Sequence, residues 1–295
     1  MVDKDSSQVI LGIPKGSLQK STTDLMARAG YRIEVSSRSY YPAVDDPALN
    51  VRLVRPQDMS RFVEKGIIDA GLTGADWVQE NESDVRVICE LVYAKQELIP
   101  VRWVLAVPQD SDVQSVADLQ GKKIATELVN VAKKYLAAHN VSADVEFSHG
   151  ATETKAPDIV DAIIELTETG SSLRANKLRI VDTVMKSVTV LVVNHDSWKN
   201  DWKREKIENI AMLLQGAMLG RTKVGLKMNV GSDGLDAVLA KLPALRRPTV
   251  STLADESGYA IETVLEEKVA RDLIPELKRL GAEGIIEFPL NKVVL

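Results

Sequence analysis

Apolar positions along the chain alternate between short continuous runs and stripes of helical period, the pattern of strands separated by helices. Val9-Ile-Leu-Gly-Ile13 reads as a buried strand, and Pro14-Lys15-Gly16-Ser17 as a turn into a helix through Arg28. Ile33-Glu-Val35, Val51-Arg-Leu-Val54 and Ala70-Gly-Leu-Thr-Gly74 are further strands by composition and alternation. Pro56 to Lys65 predicts a helix closed by Gly66, and Trp77 to Gln79 starts another helical turn. Beyond Pro100, strands are predicted at Arg102-Trp-Val-Leu-Ala-Val107, Lys123-Ile-Ala125 and Val145-Glu-Phe147, with a helix from Glu127 to His139. From Pro157 a short amphipathic helix is predicted: proline suits a first turn, Asp158 and Asp161 favour the positive end, and Ile159, Ile163 and Leu166 form one stripe. Val188 to Val193 reads as a strand leading back to the first lobe, and Trp198 to Leu219 as one long helix.

Strands alternating with helices indicate a mostly parallel sheet, whose ligands sit beyond the strand carboxyl ends. Lys15, Arg55 and Gly74 all fall at such ends. The tail reads strand, helix, strand, strand, helix, strand, which is the ferredoxin-like order. The expected organisation is α/β: a first lobe over 1–98 with a return segment over 194–220, a second lobe over 99–193, and a βαββαβ domain over 221–295.

Composition narrows the partners. A net charge of −5 without a basic stripe, and few aromatic residues, give nucleic-acid binding little support. Cys89 is the only cysteine, which excludes an intrachain disulfide and a thiolate metal cage. The polar start of the chain lacks a secretion signal, and no run approaches a membrane span, so a cytoplasmic location is expected. His139, His149 and His195 show no metal-ligand spacing, and the charges from Lys199 to Lys206 read as a solvated helix face.

Candidate chemistry concentrates after Gly150. Thr167-Glu-Thr-Gly-Ser-Ser-Leu173 breaks the predicted helix at Gly170 and offers hydroxyl groups and unhindered backbone N–H groups. A new helical turn from Ser171 would attract a phosphate at its N-terminus. With carboxylates suited to ribose hydroxyls just upstream, the segment suits a sugar phosphate. It also suits an ordinary helix C-cap and turn, and spacing alone leaves both readings open.

The segment resembles the phosphoribosyl-pyrophosphate (PRPP) loop of the ATP phosphoribosyltransferase family, whose enzymes open histidine biosynthesis. The similarity continues through Arg174-Ala-Asn-Lys-Leu-Arg-Ile-Val-Asp182. It also covers Ile13-Pro-Lys-Gly-Ser-Leu18, Val54-Arg-Pro-Gln-Asp58, Gly66-Ile-Ile-Asp-Ala-Gly-Leu-Thr-Gly-Ala-Asp76 and Gly121-Lys-Lys-Ile-Ala-Thr-Glu127. The tail resembles the regulatory domain of the family's long form, with a match at Leu245-Arg-Arg-Pro-Thr249.

The resemblance implies a two-lobed core like that of type II periplasmic binding proteins. It also implies transfer of phosphoribose from PRPP to N1 of the ATP adenine, with release of pyrophosphate. Magnesium on the pyrophosphate would serve as template and charge sink while keeping several waters, so no carboxylate cage is required. Histidine is the implied inhibitor, without a separate regulatory subunit, and the implied assembly is a homohexamer.

Residue by residue, the resemblance assigns Asp161 to the ribose hydroxyls, with Glu153 as a second carboxylate. Thr167, Thr169, Gly170, Ser171 and Ser172 would hold the 5′-phosphate, and Leu173 completes the matched loop. Lys15, Gly16 and Ser17 match the nucleotide-contacting turn, Arg55 the basic strand end, and Gly74 and Asp76 a cleft loop. Arg102 offers a planar donor for phosphate, or else is a surface charge. Asp161, Arg55 and Lys15 carry the catalytic assignment. Glu127 either faces the cleft or caps the following helix. Asn229, Leu245, Arg247, Thr249 and Gly284 match the effector site, although an acidic residue is common where this chain has Asn229. A non-catalytic solute binder of the same fold, and a phosphoribosyltransferase for another base, are the competing functions.

Overall fold

The computed structural model describes residues 7–36, 38–93, 99–243 and 247–295. The chain divides into one unit of Met1–Ala27 with Tyr31–Ala211, and a second of Arg28–Gly30 with Met212–Leu295.

In the first unit, β1 (Val9–Pro14) is buried at every position and leads into α1 (Gln19–Ala29). A small hairpin of β2 (Ile33–Glu34) and β3 (Ala43–Val44) precedes β4 (Leu49–Val54) and α2 (Pro56–Glu64). The chain continues through β5 (Ala70–Gly74), α3 (Ala75–Glu80) and β6 (Arg86–Leu91). It then builds another sheet from β7 (Val101–Pro108), β8 (Lys123–Thr126), α4 (Val129–Ala138), β9 (Asp144–Phe147), β10 (Ala162–Thr167), α5 (Ser171–Ala175) and β11 (Leu178–Ser187). β12 (Thr189–Val193) returns to the first sheet, followed by α6 (His195–Lys199) and α7 (Asp201–Gly220). The two five-stranded sheets have the orders β4-β1-β5-β12-β6 and β11-β7-β10-β8-β9. The fold is the expected two-lobed α/β core, but the return to the first lobe begins at β12 rather than at residue 194.

The second unit runs β13 (Lys223–Gly231), α8 (Leu235–Lys241), β14 (Thr249–Thr252), β15 (Gly258–Glu266), α9 (Glu267–Arg279) and β16 (Glu283–Pro289). Its sheet order β14-β15-β13-β16 is the ferredoxin-like arrangement. Val224, Leu226, Met228 and Val230 of β13 share the covered face and pack with Ala270, Leu273 and Leu277 of α9.

Three expectations need correction. The segment predicted as a helix after Pro157 forms β10 instead. Ala162, Ile163 and Ile164 are all buried, with β7 antiparallel on one side and β8 parallel on the other. Consecutive buried β-branched residues suit a central strand and defeat a one-sided stripe, and Ile159 and Leu166 remain exposed. The helix predicted from Trp198 to Leu219 is broken at Asn200, whose extended backbone lets its side chain accept from Lys203 N at 3.0 Å.

Lys203, finally, is no solvated charge. It is buried and donates to the fully buried Asp69 at 2.8 Å. Burial alone would raise the Asp69 carboxyl, but donors at Ile10 N, Lys203 and Ser197 outweigh it and hold its pKa below 3.8. Asp69 thereby ties β1 to α6 and α7. Asp69→Ala, which strands a buried ammonium, should cost about 3–5 kcal/mol in denaturant unfolding. With a folded pKa below the ordinary 3.8, the carboxylate's stabilisation is present above that value and is lost as pH falls through the depressed one. Asp69→Asn should accordingly reduce the acid sensitivity of unfolding.

Candidate active site

The carboxyl ends of β1, β4, β5, β8 and β10 and the amino ends of the antiparallel β7 and β12 face a cavity of about 600 Å³. Lys15, Gly16 and Ser17 reach it from the turn after β1, Arg55 from the end of β4, and Gly74 and Asp76 from the β5–α3 junction. Opposite them stand Glu127 after β8, and Glu165 and Glu168 at the end of β10. One wall therefore carries cations and the other carboxylates.

The turn is set by Lys15 N, which donates to Val54 O at 2.8 Å and so holds the lysine beside Arg55. Asp76 plays a different part from the one expected. Its Oδ2 accepts the Trp103 indole N–H at 2.6 Å, its Oδ1 accepts Trp77 N at 2.9 Å, and its own N–H donates to Ser187 Oγ at 3.1 Å. Burial drives the Asp76 carboxyl up, and these bonds pull it only partly back. Its carboxylate is engaged in joining the lobes, so it shapes the cleft rather than offering a free acceptor to a nucleotide. Gly74 makes room for it: a Cβ there would lie 1.9 Å from Asp76 Oδ1.

α3 is fastened to the second lobe elsewhere too. Glu80 accepts Asn130 N at 3.1 Å and Val131 N at 3.0 Å, so a carboxylate already occupies the N-terminus of α4. Trp77 packs against the second-lobe core and meets Trp103 edge-on, with ring centroids 6.3 Å apart.

The glycine-serine loop is held by its own polar groups. Gly170 adopts φ +75°, and its N–H donates to Thr167 Oγ1 at 2.7 Å. Thr169 Oγ1 donates to Ser171 Oγ at 3.0 Å, and Ser172 Oγ to Glu153 Oε1 at 2.7 Å. Glu153 is therefore bonded to the loop. The Leu173 side chain is buried with Val104, Ala106 and Ile163 and anchors α5.

Asp161 is not brought to this loop. It precedes β10, where it accepts Lys123 N at 2.8 Å and lies 3.7 Å from Lys122. Gly170 lies beyond the other end of the strand, and a strand of this length spans about 20 Å. The assignment rested on the resemblance, and the predicted helix, which would have kept the two closer, agreed with it. Arg102 stands in register with Thr167 and Lys186 but does not line the cavity.

Sequence reading missed Glu165. Burial pushes its carboxyl up; Thr152 and Leu166 N pull it partly back, and the charges of Glu153 and Glu127 push it further. Three carboxylates thus converge beside the loop. The signal was the spacing of Glu165 and Thr167, which share a face once the run is a strand.

In the second unit, Asn229 lies on the exposed face of β13, and Thr249 on β14 is in register with Glu262, which pairs with Lys227. Gly284 lies on β16, next to the Glu283 that pairs with Asn229. Arg247 is exposed, and Leu245 lies outside the described residues.

The family model for ATP phosphoribosyltransferase matches residues 55–216, and that for the HisG C-terminal domain matches residues 220–292. The chain belongs to the ATP phosphoribosyltransferase family. An ATP phosphoribosyltransferase of Chlorobaculum parvum is 59% identical over 96% of this chain and 97% of its own. One of Solibacter usitatus is 57% identical over 97% of this chain and 99% of its own. Among solved structures, the ATP phosphoribosyl transferase (HisG:HisZ) complex from Thermotoga maritima matches with a TM-score of 0.61 and 26% identity, over 72% of this chain and 98% of that one.

Asp76→Ala should destabilise the protein by about 1–3 kcal/mol by orphaning the buried Trp103 N–H. Gly74→Ala expels the same carboxylate. The double variant, measured by denaturant unfolding, should lose clearly less than the sum of the two.

Proposed function

We propose that this cleft binds ATP and PRPP together and transfers phosphoribose to N1 of the adenine, releasing pyrophosphate, as the first step of histidine biosynthesis. The observation that carries the reading is the division of charge across the cavity, with Lys15 and Arg55 on one wall and Glu127, Glu165 and Glu168 on the other. Departure of pyrophosphate leaves positive charge on the ribose ring, so carboxylates suit the sugar and its hydroxyls while cations suit the phosphates. Adenine N1 is an unprotonated nucleophile, so positioning rather than a strong base supplies the acceleration. The 5′-phosphate is taken by the loop from Thr167 to Ser172, where Gly170 leaves the backbone approachable. Glu165 replaces Asp161 as the carboxylate for the ribose hydroxyls, with Glu153 beside it. Arg55 and Lys15 neutralise the leaving pyrophosphate or hold the nucleotide.

Magnesium fits as part of the substrate. Glu153 and Glu127 push the Glu165 carboxyl up, and a magnesium ion carried in with the substrate would offset that repulsion. Among the described residues no cluster of three or more His, Cys, Asp or Glu could hold a metal by itself.

The same reading makes the chain a cytoplasmic homohexamer inhibited by histidine without a separate regulatory subunit. Among the described residues no helix is long and apolar enough to cross a membrane. Asn229 and Thr249 on the exposed sheet face, with Gly284 at its edge, are the proposed effector contacts.

Phosphoribosyl-ATP formation from ATP, PRPP and magnesium is the direct test; a folded protein that makes none overturns the reading. Glu165→Gln should lower kcat/KM for PRPP at least about tenfold, as loss of a transition-state contact does. Asp161→Asn should change it less than about twofold, as surface substitutions do. The reverse order would return the ribose role to Asp161. Histidine should inhibit the full chain, and Asn229→Ala with Thr249→Ala should weaken that inhibition while basal turnover persists.

A further inference from the structure

We propose that Tyr40 is a positioning residue that holds the Lys15 ammonium at the rim of the cleft, so that incoming phosphates meet a lysine already oriented. The inference rests on the reading of Lys15 as a phosphate ligand. Tyr40 lies in the segment between β2 and β3, and its carbonyl accepts Leu53 N at 2.8 Å. That bond fixes the segment along β4, just before Arg55. The Lys15 ammonium stands 3.7 Å from the centroid of the Tyr40 ring.

Hydrogen bonding from Lys15, and then its charge and that of Arg55, hold the Tyr40 phenol below its ordinary pKa of 10.0. The two cations assigned to substrate phosphates thus both act on this one exposed side chain. Lys15 and Arg55 line the cavity, whereas Tyr40 does not. The ring therefore touches the cleft through the lysine alone.

A lysine carries a long flexible stem, and on a turn it would otherwise sample many directions. A cation–π contact at an exposed site is weak enough to yield to a phosphate yet strong enough to bias the free side chain. Tyr40 is 55% exposed, so its replacement disturbs no core.

The test is a double-variant cycle on the full chain, with initial rates measured while ATP and PRPP are varied separately. Tyr40→Leu should raise KM for one of the two substrates about three- to fivefold while leaving kcat within about twofold. Tyr40→Phe keeps the ring and should show less than half that effect. In a Lys15→Met background, Tyr40→Leu should add nothing measurable to the loss. A Tyr40→Leu enzyme with unaltered KM, beside a large Lys15→Met effect, overturns the inference alone. Equal effects of Tyr40→Leu with and without Lys15 also overturn it. Lys15→Met without effect on either KM overturns the reading of Lys15 and the inference with it.

Discussion

The geometry of the cleft depends on a buried carboxylate. Asp76 ends its short passage from β5 with both oxygens turned inward, toward the indole of Trp103 and the backbone N–H of Trp77 in the first turn of α3. Taking a carboxylate out of water is costly, and the raised pKa of Asp76 records that cost. It is tolerated because the Trp103 N–H, itself buried, needs an acceptor. Glu80 repeats the device one helical turn later by closing the N-terminus of α4. An element that begins in the first sheet thus ends attached to the second. Polar bonds of fixed length, rather than apolar packing alone, set the spacing of the walls on that side.

That arrangement bears on where an anion can sit. In open α/β folds a helix N-terminus beside the cleft is a ready anion site, but α4 has its amides taken by Glu80. The anion-binding capacity left in the second lobe resides in the loop before α5. The loop's hydroxyls are satisfied by one another and by Glu153. A phosphate there exchanges existing hydrogen bonds for charge-assisted ones, and charge-assisted bonds are the stronger kind. On the proposed reading, the exchange also releases Glu153 from Ser172 toward the sugar.

Much of the fold was legible in the sequence, and the largest error explains the largest error at the site. Strands with long apolar runs, such as β1, β7 after Arg102 and β12 after Thr189, stood out because burial on both faces suits apolar residues at consecutive positions. The ferredoxin-like tail was legible because β13 alternates between covered and exposed residues from Leu226 to Gly231. At β10 the local signals pointed elsewhere: a proline and two aspartates mimic a helix start, and positions 159, 163 and 166 mimic a stripe. Only pairing with β7 and β8 decides the matter, and pairing is not a local property. The helix reading agreed with the place the resemblance gave Asp161, whereas the strand carries Asp161 to the far end and brings Glu165 forward. The long β11 escaped notice for a related reason, since its bulges at Ile180/Asp182 and Thr183/Met185 break the alternation that would announce it.

The same distinction separates the residues that sequence similarity could place from those it could not. Lys15, Gly16, Ser17, Arg55 and Gly74 reach the cavity because each sits at or just beyond the end of a strand whose position the apolar pattern fixes. Asp76 and Leu173 lie within matched blocks and yet turn away from solvent, one to an indole and the other to the core. Membership in a shared motif therefore marks a position the fold needs, not a group that touches substrate. Gly74 makes the point most sharply: its hydrogen is required by the carboxylate two residues on, so the pair serves the cleft by holding its walls. Residues at strand ends whose charged groups reach the cavity are the ones to assign to ligands, and Lys15 and Arg55 meet that criterion where Asp161, at the far end of β10, does not.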